Sequence, residues 1–79
     1  MTVLLFAGVA EKAGVRKLEM ERAEGDTVAT LRERLMERYP QLRPFVSTLM
    51  YAVDEEYVKD WAPVGEGATL ALIPPVSGG

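Results

Sequence analysis

Cysteine and histidine are both absent from the 79-residue chain. Without thiols the chain has no disulfide and no thiolate metal ligand, and without imidazole it lacks the usual proton-transfer group near neutral pH. Serine–histidine and cysteine–histidine nucleophile systems are therefore impossible within the chain. We expect no metal site and no permanently bound cofactor, so any chemistry takes place together with another protein's active site.

Long apolar runs and an excess of positive charge are also missing. No apolar run approaches the ~18 residues that a membrane-spanning helix needs, and no basic segment precedes the short apolar stretch near the N-terminus. We therefore expect neither a membrane anchor nor a signal peptide, and we expect the cytoplasm as the compartment. The 9 basic and 12 acidic residues give a net charge of −3, which argues against binding to nucleic acid.

The residues that are present have the composition of one small globular domain. Apolar residues make up 48% and charged residues 27% of the chain, which suits a single core. Strand-forming composition or period-two alternation marks five stretches: Thr2–Gly8, Val15–Arg22, Ser47–Val53, Glu56–Lys59 and Ala68–Ile73. The acidic residues from Asp54 to Glu56 predict a tight hairpin turn between the third and fourth of these strands.

One segment has the apolar period of an α-helix. Between Thr27 and Tyr39 the apolar residues fall on one helical stripe, and they are Val28, Leu31, Leu35 and Tyr39. Asp26 or Thr27 is suited to cap this helix, Pro40 ends it, and Pro40–Phe45 is predicted as a loop. The order of two strands, one helix and three strands predicts an α+β fold, a β-grasp (ubiquitin-like) mixed sheet with one main helix across one face.

The first and last strands are apolar on both sides, which is typical of strands that are covered on both faces. One helix covers only one face, so we expect a second cover. Part of that cover is expected from the loop Pro40–Phe45 or from Trp61, which is predicted to cap the edge of the core, and the rest from a partner protein. Alternation assigns Phe6, Tyr57 and Ile73 to the second face, and we predict that these residues bind the partner.

The last six residues predict a thin stalk. Pro74 and Pro75 cannot donate hydrogen bonds to a strand and favour an extended exit, so the domain is predicted to span residues 1–75. Residues 76–79 (Val76, Ser77, Gly78 and Gly79) are predicted as a flexible tail, and the stalk reaches roughly 20 Å from the sheet. The two glycines fit a narrow channel, and the Gly79 carboxylate at the tip is suited to activation as an acyl-adenylate.

Three stretches carry a resemblance to a known family: VLLFAGVAEKAG near the start, AVDEEYV in the hairpin and GEGATLALIPPVSGG at the end. Through them the chain resembles the small subunits of molybdopterin synthase, which are ubiquitin-like sulfur carriers. The last stretch is the specific one, because the thiamine-pathway carrier shares the Gly-Gly end but usually lacks the double proline. Two positions depart from the family, with Ala10 where a basic residue is frequent and Asp54 where asparagine is frequent.

The resemblance implies a sulfur-carrying role in molybdenum cofactor biosynthesis. An adenylyltransferase similar to the ubiquitin-activating class would use ATP to adenylate Gly79, and a sulfur donor would convert the adenylate into a thiocarboxylate. The tail would then enter the large subunit of the synthase and pass sulfur to a cyclic pterin phosphate. By the same resemblance the chain is a non-catalytic, sulfur-donating subunit in a heterotetramer of two small and two large subunits.

Other functions stay open at this point. The same carboxylate suits a sulfur carrier for another pathway, such as thiamine synthesis or tRNA thiolation, or a ubiquitin-like modifier joined to lysine side chains. A plain interaction module with an inert tail is a further function class, because a terminal Gly-Gly is by itself a weak signal.

Overall fold

The structure is a computed structural model, and it describes residues 1–75. Its elements are β1 (Thr2–Leu5), α1 (Ala7–Ala13), β2 (Lys17–Glu19), α2 (Val28–Arg38), a 3₁₀ helix (Pro40–Phe45), β3 (Met50–Val53), β4 (Glu56–Val58) and β5 (Thr69–Ile73). None of the helices within these residues is long and apolar enough to cross a membrane. The predicted flexible tail at residues 76–79 lies outside the described residues, so it stays a prediction.

The strands form one five-stranded mixed sheet in the order β2-β1-β5-β3-β4. Strands β1 and β5 are parallel neighbours at its centre, while the other neighbouring pairs are antiparallel. The helices pack on one side of this sheet and complete the hydrophobic core with the inward side chains of the strands. The predicted α+β, β-grasp architecture is confirmed.

Helix α2 has the bounds and the buried stripe that the sequence predicts. Thr27 is its N-cap, in a capping box in which the Thr30 N–H donates to Thr27 Oγ1 and the Thr27 N–H donates to Thr30 Oγ1. The predicted core residues Val28, Leu31 and Leu35 are buried. Buried Met36 widens the stripe, and Tyr39 at the C-cap is only half-buried.

The first strand is shorter than predicted, because the chain leaves the sheet after Leu5 and starts α1 at Ala7. Ala7 adopts a φ of 49°, which turns the chain sharply, and the Phe6 carbonyl accepts the Val9 N–H at 3.1 Å. Val9 and Ala10 are buried in the core. The apolar composition of this stretch is therefore used in helix packing, a case in which tertiary burial overrides strand propensity. Helix α1 ends at Ala13, and Gly14 is its C-cap.

The predicted covers of the second face are wrong. Residues Pro40–Phe45 form the 3₁₀ helix, which packs beside α1 and α2, and its Leu42 is fully buried in the helix-side core. Trp61 is 73% exposed and does not cap the core. Its loop is bound to the start of α2, since the Ala29 N–H donates to the Asp60 carbonyl at 2.8 Å. Within residues 1–75, the face of the sheet opposite the helices is bare.

Candidate functional site

The bare face is built from side chains that strand pairing brings into rows, because residues directly opposite each other in a sheet share a face. Ala71 of β5 pairs with Leu4 on one side and with Ala52 on the other. Ala52 pairs in turn with Tyr57 of the edge strand β4. A row of apolar side chains thus crosses four strands, and we call this side of the sheet the open face.

A second apolar row lies beside the end of β5. Ile73 pairs with Met50, and Phe6 lies next to Ile73 because Leu5 pairs with Leu72. Phe6 is 45%, Met50 46% and Tyr57 67% exposed, so these large side chains have apolar surface available to a partner. The structure therefore brings the three predicted residues Phe6, Tyr57 and Ile73 onto one face.

Met50 is the member of this surface that sequence reasoning missed. Its strand was predicted, but the face of each residue in that strand depends on the register with β5. The pairing of Met50 with Ile73 is the signal that assigns it. Together Leu4, Phe6, Met50, Tyr57 and Ile73 form what we call the apolar end of the open face. All of them except Met50 line a shallow depression of ≈ 240 Å³.

The opposite end of the open face is polar. Thr2 pairs with Glu19 and with Thr69, and the Thr2 hydroxyl donates to Glu19 Oε1 at 2.9 Å. The open face therefore changes along the strand direction, from hydrogen-bonding side chains at one end of the strands to large apolar side chains at the other. The apolar end is the one at which β5 ends and the tail begins.

The predicted tail begins at Pro74, in the middle of that end of the sheet, and we call this position the tail root. Strand β5 runs between β1 and β3, so Pro74 leaves the sheet between Phe6 and Met50. Pro74 is half-buried, Pro75 is exposed, and both follow the last paired residue. Val76, Ser77, Gly78 and Gly79 lie outside the described residues. A flat apolar surface around the base of a narrow peptide is suited to hold a partner while the peptide enters it.

The hairpin between β3 and β4 holds Tyr57 in this surface. Asp54 and Glu55 have φ values of 48° and 71°, as a two-residue type I′ turn requires. Asp54 Oδ1 accepts the Thr69 N–H at 3.0 Å, and the Asp54 N–H donates to the Thr69 carbonyl at 2.9 Å. The carboxylate at this departure from the family is thus bound within the chain. Ala10, the other departure, is buried in the core.

The strongest electrostatic network lies on the helix side of the molecule. Arg34 donates to both carboxylate oxygens of buried Asp26, at 3.1 and 3.0 Å. These bonds, with further ones from the Ala23 N–H and the Thr30 hydroxyl, hold the pKa of Asp26 well below its usual range. This network fixes the start of α2, and it includes none of the residues that form the open face.

A second pair of bonds joins α2 to the sheet. Arg32 donates to the Tyr51 hydroxyl at 3.1 Å and to Asp60 Oδ2 at 3.2 Å. The hydrogen bond with Tyr51 is the largest cause of the raised pKa of Arg32, and Asp60 adds to it. Arg32 therefore stays charged and stabilises the packing of α2 on β3 and on the Trp61 loop.

The sequence of this chain is similar to those of a known protein family. A family model described as the ThiS family matches residues 3–79. The chain belongs to this family. It is 39% identical over 77 residues to the molybdopterin synthase sulfur carrier subunit of Arabidopsis thaliana, covering 98% of this chain and 80% of that protein. It is 31% identical over 80 residues to the subunit of the same name from Mycobacterium tuberculosis, covering 100% and 96%.

Solved structures share the fold over nearly the whole chain. SAMP1 of Haloferax volcanii superposes with a TM-score of 0.89 at 29% identity, covering 99% of this chain and 97% of that one. A putative subunit 1 of the molybdopterin-converting factor from Pyrococcus furiosus superposes at 0.83 with 26% identity, covering 95% of each chain. A chain from a complex of subunits 1 and 2 of this factor from Helicobacter pylori superposes at 0.70 with 18% identity, covering 99% and 96%, which shows the fold alone. The family resemblance predicted from the sequence is confirmed.

Proposed function

We propose that the chain is the sulfur-carrier subunit of a molybdopterin synthase, in which the open face binds the large subunit and Gly79 carries the sulfur. The observation that carries this proposal is the position of the tail root. Two large exposed apolar side chains, Phe6 and Met50, flank the place where Pro74 leaves the sheet. A third, Tyr57, lies two strands away on the same face. The proposal is also supported by the relatives from Arabidopsis thaliana and Mycobacterium tuberculosis, which are named molybdopterin synthase sulfur carrier subunits.

The proposed chemistry takes place at the Gly79 carboxylate. A carboxylate oxygen attacks the α-phosphorus of ATP on the adenylyltransferase, and pyrophosphate leaves. A hydrosulfide equivalent from the sulfur donor then attacks the acyl carbon, AMP leaves, and a thiocarboxylate forms. The thiocarboxylate sulfur adds to a carbonyl carbon of the cyclic pterin phosphate, whose oxygen then leaves as water while a carbon–carbon double bond forms. A second water attacks the acyl carbon of the resulting thioester, the acyl–sulfur bond breaks, the Gly79 carboxylate returns and the sulfur stays on the pterin. The chain needs no resident cofactor for these steps, since the enzymes that it visits supply ATP and the acid–base groups.

The residues of the tail have separate parts in this proposal. Pro74 and Pro75 direct the peptide away from the sheet, because their φ angle is restricted and they cannot continue strand pairing. Residues 76–79 extend the reach by about 13 Å at ~3.3 Å per residue. Gly78 and Gly79 pass through a channel that excludes side chains. We place the chain in the cytoplasm, in a heterotetramer of two small and two large subunits.

A mass measurement tests the chemistry directly. With the adenylyltransferase, ATP and a sulfide donor, the intact mass of the chain should rise by the difference between sulfur and oxygen. Deletion of Gly79 moves the carboxylate inward by about 3.3 Å, and this should abolish the change, because a misplacement of ~1 Å already costs about a hundredfold in rate. A one-residue extension after Gly79 displaces the carboxylate outward instead, and it should abolish the mass change too.

The thermal unfolding of both tail variants should equal that of the parent chain, since the core lies within residues 1–75. A deleted chain that still gains sulfur at the parent's rate contradicts the role of Gly79. A chain that gains sulfur but fails to pass it to the pterin precursor in the presence of the large subunit contradicts the synthase pathway.

A second candidate function is supported by the likeness to SAMP1, which is also described as small archaeal modifier protein 1 of Haloferax volcanii. In this candidate the acyl-adenylate of Gly79 is attacked by a lysine amine, AMP leaves and an isopeptide bond forms. The same reaction mixture separates the two functions. Attachment to a target protein appears as a new species that is heavier than the target by the mass of the whole chain less one water, whereas the carrier function changes only the mass of the chain itself.

A further inference from the structure

A groove lies between α1 and β2, directly beside the apolar end of the open face. Its volume is ≈ 850 Å³, and one wall is formed by Leu4 and Phe6, which also belong to the open face. The other wall is formed by Val15, Arg16 and Lys17, where the chain enters the edge strand β2. The groove and the apolar end are therefore one continuous surface, joined at Phe6.

The cations of this groove are available for a partner, unlike most arginines of the chain. Arg16 and Lys17 are exposed, and within residues 1–75 their side chains make neither an ion pair nor a hydrogen bond. By contrast, five arginines are bound to carboxylates or backbone carbonyls: Arg22, Arg32, Arg34, Arg38 and Arg43. In a chain of net charge −3, the groove thus presents positive charge that is not neutralised within residues 1–75.

We infer that this groove is a docking site for a carboxylate-bearing segment of the protein that covers the open face. The inference rests on the proposed function, because it assigns a second contact to the same partner. Lys17 pairs with Leu4 and so belongs to the open face, while Arg16 precedes it at the mouth of the groove. A partner that covers Phe6 and Leu4 is thereby brought beside both cations.

The arrangement of charge selects an acidic polypeptide. Glu11 lines the same groove, so a compact anion with several charges would be repelled at short range. An extended segment can place one carboxylate near Arg16 and another near Lys17 while it keeps its distance from Glu11. Such pairs at the rim of an interface raise the rate of association and fix the orientation of the partner.

Charge reversal on the two sides of the sheet tests the inference. Arg16→Glu and Lys17→Glu are made in the full chain, and Lys12→Glu is the matched control. Lys12 lies in α1 on the helix side of the sheet, where its carbonyl accepts a hydrogen bond from the Gln41 side-chain amide. Its side chain is exposed, and it lies outside the groove lining and outside the ion pairs of residues 1–75. Each variant changes the net charge by the same amount, so a general charge effect is common to all three.

Affinity for the large subunit of the synthase is measured by calorimetry at low and at physiological ionic strength. We expect Arg16→Glu and Lys17→Glu each to bind about tenfold more weakly at low ionic strength and to flatten the dependence on salt, because charge pairs at the surface are screened. Lys12→Glu should keep both the parent's affinity and its salt dependence. Thermal unfolding checks that each exposed substitution leaves the fold intact.

The outcomes separate this inference from the function on which it rests. If the parent chain binds and Lys17→Glu and Arg16→Glu behave like Lys12→Glu, the groove is not a docking site and the inference is overturned, while the synthase function stands. If the parent chain fails to bind the large subunit, the proposed function is overturned together with the inference.

Discussion

Replacement of Phe6 by aspartate is the most direct test of the open face. Phe6 is 45% exposed, and an aromatic side chain buries about 200 Å² when it is fully covered. A partner that covers its exposed part therefore removes about 90 Å² from water, which contributes about 2 kcal/mol at ~25 cal/mol per Å². Loss of this contact should weaken binding about 30-fold, and the unpaired buried carboxylate adds to the loss.

The fold should tolerate this change, because Phe6 lies outside the buried core cluster. The assay is calorimetric titration of the large subunit with the parent chain, Phe6→Asp and two further variants. Tyr57→Asp changes a second residue of the same face, at 67% exposure, and should weaken binding as well. Trp61→Asp is the control, since Trp61 is 73% exposed but belongs to the loop at the start of α2.

The comparison of the variants decides the test. We expect Phe6→Asp and Tyr57→Asp to lose affinity while Trp61→Asp binds like the parent, with all three folded by thermal unfolding. Equal affinity of Phe6→Asp and the parent would refute the assignment of Phe6 to the interface. A loss confined to Trp61→Asp would move the interface to the helix side of the molecule.

Two further predictions concern the scaffold. Leu31 is fully buried in α2, so Leu31→Ala should lower the free energy of unfolding by ~2–5 kcal/mol in chemical denaturation, and a change below about 1 kcal/mol would contradict its place in the core. The depressed pKa of Asp26 contributes stability that is present above the unfolded pKa of about 3.9 and is lost as the pH falls further. The parent chain should therefore unfold more easily below about pH 4, whereas Asp26→Asn should be less stable at neutral pH and depend less on acid. A parent and variant with the same acid dependence would show that Asp26 is not the group responsible.

Some parts of the candidate site could be predicted from sequence because they depend on local backbone chemistry. Alternation assigns Phe6, Tyr57 and Ile73 to one face, and the register confirms that they share it. The hairpin turn could also be predicted, since aspartate tolerates the positive φ that such a turn requires. Their role in binding a partner stays a prediction.

The sequence by itself determined what chemistry is excluded and where the helical stripe lies. The absence of cysteine and histidine rules out whole classes of site, and the spacing of Val28, Leu31 and Leu35 is a property of the chain alone. Both conclusions follow from the kinds of side chain present and from helical geometry, which is local. They needed no knowledge of which strands pair.

Tertiary structure alone decided which elements cover the core and which residues surround the tail root. The stretch after Leu5 has strand-forming composition but becomes α1, because Val9 and Ala10 are buried against elements distant in sequence. Met50 lies beside Ile73 because β3 pairs with β5 across 23 residues of chain, the difference between positions 73 and 50. A contact of this kind is set by the register of the sheet, which depends on the packing of all strands together and is absent from any local pattern.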